Sequence, residues 1–115
     1  MKLLTEQQRR ELLANGAANA GKERTTDFRP VVKLFTPWGA ATWLLTELDP
    51  ENEDIAFGLC DLGMGSPELG SVSLSEITSL RGPMGLRVER DLYFTADKTL
   101  SAYVDEANRE GRIVA

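Results

Sequence analysis

The chain has no histidine and a single cysteine, Cys60, in 115 residues. Without histidine there is no imidazole to activate a nucleophile, hold a metal or shuttle protons. A lone cysteine excludes an internal disulfide and a Cys-rich zinc site. No apolar run approaches the ~20 residues of a membrane-spanning helix. The opening Met1-Lys2-Leu3-Leu4 is followed at once by polar residues, too short for a secretory apolar core. The expected compartment is therefore the cytoplasm. Lys and Arg are absent from the whole of 34–80, which carries eight Asp/Glu. That argues against a sheet face built to grip phosphates. Nor do Gly58, Gly63, Gly65 and Gly70 form a phosphate-cradling loop, because no G-x-x-x-x-G-K-[ST] or G-x-G-x-x-G pattern opens a helix. They read as turn or bulge glycines.

What remains is ordinary globular material. Apolar residues make up 42% and charged residues 27%, close to the average soluble domain and far from disorder. The length fits a single domain. The net charge of −5 is unevenly spread: residues 1–33 carry seven Lys/Arg against four Asp/Glu, and residues 81–115 carry six of each. The acidic middle reads as a solvated sheet edge, or as a surface for a basic partner, a divalent cation or a DNA mimic.

Periodicity supplies the elements. Thr5 and Gln8 have capping-box spacing, which predicts a helix over about 5–14 that stops near Asn15-Gly16. Residues 16–30 read as a flexible linker or loop. Val31–Phe35 reads as a strand and Pro37-Trp38-Gly39 as a turn. Ala40–Leu48 reads as a second strand, with Trp43 and Leu45 on one face and Leu44, Thr46 and Leu48 on the other. Asp49–Glu53 is turn material. Ile55–Cys60 and Glu68–Ser73 follow as strands, giving an antiparallel meander. Ser73 and Glu76 form a second capping-box pattern, opening a short helix that presents Leu74, Ile77 and Leu80 on one side. Leu86–Phe94 reads as extended. Leu100, Tyr103, Val104 and Ala107 predict a helix over about 98–110, ending before Gly111. The expected fold is α+β: one domain with a mostly antiparallel sheet of four or five strands, an N-terminal helix, a C-terminal helix and a short helix after the fourth strand.

Few residues suggest chemistry. Glu47, Asp49, Asp61 and Glu76 are oxygen donors for a metal, but their spacing selects no pair. The segment from Arg81 to Asp91 carries Arg81, Arg87 and Arg90, suited to an anion or an acidic partner. Equally, Arg81 or Arg90 pairs with nearby carboxylates to pin the loop. Trp43 reads as core. Trp38, in a turn, reads as an exposed anchor. Cys60 reads as an inert buried thiol. The candidate binding residues are Trp38, Glu51, Arg81, Arg87 and Arg90, with no catalytic residue, metal site or cofactor.

An ordered series of segments carries a resemblance. Val31–Pro37 leads into Ala41–Asp49, Ala56–Gly63 and Glu68–Gly70. Val72–Glu76, Arg81-Gly82-Pro83, Gly85-Leu86 and Glu89-Arg90-Asp91 complete it. Together they resemble the bacterial family called domain of unknown function 2958, from about Leu4 to Ile113. The resemblance implies a small cytoplasmic protein of plasmids and integrated mobile elements, in some relatives beside antirestriction or conjugation modules. It implies no catalytic residue. The expected function is that of a non-enzymatic accessory protein that binds a protein partner, as a monomer or homodimer. One alternative is a nucleic-acid-associated module using Arg9, Arg10, Lys22, Arg24, Arg29 and Lys33. Another is a carboxylate-based metal-dependent enzyme.

Overall fold

A computed structural model describes residues 2–23 and 25–115. Its elements are α1 (Glu6–Asn19), β1 (Val32–Phe35), β2 (Thr42–Asp49), β3 (Asn52–Asp61), β4 (Glu68–Ser73), α2 (Leu74–Ser79), β5 (Glu89–Arg90) and α3 (Leu100–Glu110). The strands form one antiparallel sheet in the order β4-β3-β2-β1-β5. This is the expected α+β architecture, with all three helices in their expected places.

Helix α1 starts as the capping box requires. The Gln8 N–H donates to Thr5 Oγ1 at 3.0 Å, and Gln8 Oε1 accepts the Thr5 N–H at 2.9 Å. It does not stop at Asn15-Gly16 but continues to Asn19. Gly16 serves a close approach, because a Cβ there would sit 1.8 Å from the Leu48 carbonyl oxygen. The remainder of the expected linker is tied down in part. Asn19 Nδ2 donates to Thr26 O, and Asn19 Oδ1 accepts the Thr26 N–H at 2.8 Å.

Strand β2 contains the main departure from simple alternation. Leu45 pairs with Gly58 and Glu47 with Phe57, which leaves Thr46 as an extra residue. Such a bulge shifts the phase of every later side chain. Leu48 therefore joins Trp43 and Leu45 in one core cluster, not Leu44 as strict alternation predicts. Asn15 Nδ2 of α1 donates to the Thr46 carbonyl at 2.9 Å, which satisfies a backbone group at the bulge.

The sheet has helices on both faces. On one, Leu12 of α1 and Leu74 and Ile77 of α2 pack with Val32, Leu34, Trp43, Leu45 and Leu48. On the other, Leu100, Tyr103 and Ala107 of α3 pack on Leu44 and Leu59. Six leucines, 12, 34, 44, 45, 48 and 59, are fully buried; burying one such side chain stabilises by roughly 1.5–3 kcal/mol.

Helix α2 keeps its expected N-cap, with Ser73 Oγ accepting the Glu76 N–H at 3.2 Å. Leu80 is a correction: it is the C-cap and stays exposed, since the helix ends before it can turn inward. Of the expected 86–94 strand, Glu89–Arg90 pair with β1 and the Asp91 N–H donates to Lys33 O at 2.9 Å, while Leu86 is drawn into the closed loop 82–86. Helix α3 ends on Gly111 at φ 73°, a left-handed cap that suits glycine. Among the described residues no helix is long and apolar enough to cross a membrane.

Candidate interaction surface

The structure divides the five candidate residues. Trp38 lies in the β1–β2 turn and Glu51 in the β2–β3 turn, at opposite ends of β2. Eight strand residues at about 3.3 Å each separate them by roughly 25 Å. They share no site. Arg90, in β5, donates from Nη1 to the Lys2 carbonyl at 2.7 Å and fastens the N-terminal segment. Trp38, Arg81 and Arg87 belong to one neighbourhood, the loop between α2 and β5.

That neighbourhood is built from the turn upward. Thr36 is buried and closes the β1–β2 turn: its N–H donates to Ala41 O at 3.0 Å, and its Oγ1 accepts the Ala41 N–H at 3.1 Å. The closure sets Trp38 over the loop. A Cβ on Gly82 would fall 2.2 Å from the indole, so only glycine fits beneath the ring. Trp38 is thus half-buried, not the exposed side chain its turn suggested.

Beyond Gly82 the chain doubles back. The Gly82 N–H donates to Leu86 O at 2.7 Å, and the Leu86 N–H to Pro83 O at 3.2 Å. Between them Met84 at φ 58° and Gly85 at φ 76° are both left-handed, the pattern of a type I′ turn. Gly suits that conformation; Met does not, at a cost of about 1–2 kcal/mol. Met84 is also fully exposed, so packing within the chain returns nothing for that strain. Leu80 and Leu86 are each 42% exposed.

The arginines complete the surface. Arg81 Nη1 donates to the carbonyls of Thr78 and Leu80, at 2.8 and 3.0 Å. It closes the C-terminal end of α2, so its expected carboxylate partner is replaced by backbone oxygens. Arg87 is exposed and, among the described residues, makes no ion pair. It borders a groove of about 500 Å³ that Lys2, Leu4, Arg9 and Leu74 also line.

The carboxylates proposed as metal donors each have a separate partner or position. Glu47 Oε1 accepts from Asn19 at 2.9 Å. Asp49 accepts the Glu51 N–H within the β2–β3 turn. Buried Asp61 accepts the N–H groups of Gly63 and Ile113, at 2.8 and 2.9 Å. Glu76 lies in the first turn of α2. Among the described residues no three metal-binding side chains come together.

Part of the basic set is taken up in ion pairs. Arg9 pairs with Glu53 at 3.0 Å, and Lys33 with Asp91 at 3.5 Å. Arg10, Lys22 and Arg29 are exposed. Arg10 lies within α1, roughly 14 Å of helix axis before its end at Asn19, and Lys22 lies beyond that end. Arg24 lies outside the described residues. Cys60 is half-buried in β3, and burial pushes its thiol pKa up, which disfavours the reactive thiolate.

Sequence reasoning missed Met84. A Met-Gly pair inside a Gly/Pro loop announces a turn, but not that Met takes the left-handed corner. It also missed Asp27 and Asp54. Asp54 accepts from Ser73 Oγ at 2.6 Å, from the Ser75 N–H at 2.9 Å and from Ser75 Oγ at 2.9 Å. Those bonds hold its carboxyl pKa below the ordinary value of 3.8. Asp27 is also lowered: burial raises it, but bonds from Ser101 and Thr99 outweigh burial.

No curated protein and no solved structure matches this chain. The family description "Protein of unknown function (DUF2958)" matches residues 3–114. That span holds every element of the fold and the whole Trp38–Arg87 surface, so the chain belongs to this family of unknown function.

Proposed function

We propose that this protein is a non-enzymatic accessory protein that works by binding a protein partner through the tip around Met84. Its setting, by the family resemblance, is a bacterial mobile element. One observation carries the binding reading. Met84 occupies a strained left-handed corner with its whole side chain in solvent. Backbone strain that the fold does not use points to function. A flexible thioether between Leu80 and Leu86 suits an apolar pocket, and Arg87 beside it favours an acidic rim. The lack of histidine and the structural partners of Glu47, Asp49 and Asp61 support a non-enzymatic role.

The test is a comparative pulldown from host lysate, treated with nuclease and washed at high salt, using the wild type and Met84→Asn. A protein retained by the wild type and lost by the variant supports the reading. Material equally retained by both overturns the role of the tip. Material that disappears with nuclease or salt transfers the function to nucleic acid, whose binding falls steeply with salt.

A further inference from the structure

Strand β4 is an open edge of the sheet. Its register with β3 runs unbroken from Ile55↔Ser73 to Cys60↔Glu68, so no bulge twists it away. It contains no Lys, Arg or Pro. Natural edge strands usually carry such devices because their unpaired N–H and C=O groups recruit other chains. The opposite edge, β5, has only two residues. Helix α3 leaves β4 uncovered: Leu69, opposite Leu59 on the face of α3, is 50% exposed, and Ser71 is exposed.

A groove of about 530 Å³ meets this edge at Ser71. Ile55 and Phe57 give it apolar surface, and Glu47, Asp49 and Glu51 give it carboxylates. No Lys or Arg occurs among the described residues that line it. Glu68 adds a carboxylate at the start of the strand.

We propose that β4 accepts an extended basic segment of a partner protein as a sixth strand. Main-chain hydrogen bonds give such strand addition its affinity, and alternate side chains give it specificity. Apolar side chains of one parity lie beside Leu69 and Ser71, Lys or Arg of the other parity meets Glu68, and a Lys or Arg that continues past Ser71 into the groove meets Asp49 and Glu51. Charge selects this occupant over a second copy. A β4–β4 pairing brings together two cation-free blocks, residues 34–80 of each copy, and so gains no opposite-charge pair, whereas a basic strand does. This surface is separate from the Met84 tip, so either holds without the other.

The experiment titrates the ¹⁵N-labelled full chain with acetylated, amidated Lys-Val-Lys-Val-Lys-Val-Lys. A second peptide is the same sequence N-methylated at its three central residues, which keeps the charge but removes strand pairing on both sides. The expected result is amide shifts centred on 68–73, and affinity about tenfold weaker for the methylated peptide. Leu69→Lys, on an exposed side chain, is expected to weaken binding by a similar factor of about ten, while Met84→Asn leaves it unchanged. Equal affinity for the two peptides overturns the proposal in favour of unspecific charge attraction. Shifts centred outside 68–73 overturn it as well, as does a dimer whose β4 amides are already protected.

Discussion

Gly16 sets two residue-level effects against each other. Alanine in a helix interior is favoured over glycine by about 1 kcal/mol, so propensity alone makes Gly16→Ala stabilising. The Leu48 carbonyl 1.8 Å from the new Cβ reverses that, because overpacking costs about 1–3 kcal/mol and the neighbour is backbone. A fall in the urea midpoint of Gly16→Ala is expected; a rise shows that α1 can move off β2. At Met84 the sign is opposite. Asn tolerates the left-handed corner, and Asn-Gly is the favoured type I′ pair. Met84→Asn is therefore expected to raise stability by about 1 kcal/mol, read by the same midpoint. A single substitution that stabilises the fold and abolishes partner binding separates the two roles of the tip.

Among the elements, the helices differ in where their caps come from. Thr5 and Ser73 are local caps, three residues from Gln8 and Glu76, so α1 and α2 were legible in the sequence. Helix α3 was legible from its apolar spacing alone. Its N-cap, Thr99, makes no capping bond. Asp27 instead accepts from the N–H and hydroxyl of Ser101, and Phe28 O accepts the Leu100 N–H at 2.9 Å. A cap 74 residues away leaves no local pattern. The same limit explains Gly16, where local propensity signalled a stop and a tertiary approach overrode it. It also explains Trp38, whose exposure was settled by Gly82 across the loop. Both lowered carboxylates hold α-helix starts, so the helices carry an acid sensitivity. A depressed folded pKa means stability that is complete above the ordinary value of 3.8 and lost as pH falls through the folded value. The double variant Asp27→Asn/Asp54→Asn is expected to be less stable than the wild type near about pH 6, with the difference shrinking below about pH 3. Urea midpoints at both pH values check this, and a constant difference contradicts it.

In the whole molecule, stability concentrates at the centre of the sheet. The β2–β3 pairing is the most extensive contact between elements, and both helical layers rest on β2 or β3. Amides of Leu44, Leu45 and Leu59 are expected to exchange with solvent only by global opening, while those of β5 and the 82–86 loop exchange through local fluctuation. Hydrogen exchange resolved by residue tests the order. Thr46 gives this centre its distinct character. Because the additional residue is set aside as a bulge, Leu48 stays in step with Leu45 and meets α1. Thr46 is buried, with its hydroxyl on Phe57 O at 3.4 Å, so only a side chain of its own size, such as Val, is expected to be borne there. Deleting Thr46 would complete the hydrogen-bond ladder and still leave Leu48 two pairings from Leu45, on the α1 face, while removing the carbonyl that Asn15 holds. At this point the fold absorbs one residue more than the ladder needs, and a shorter chain with every other side chain unchanged would spell the same core.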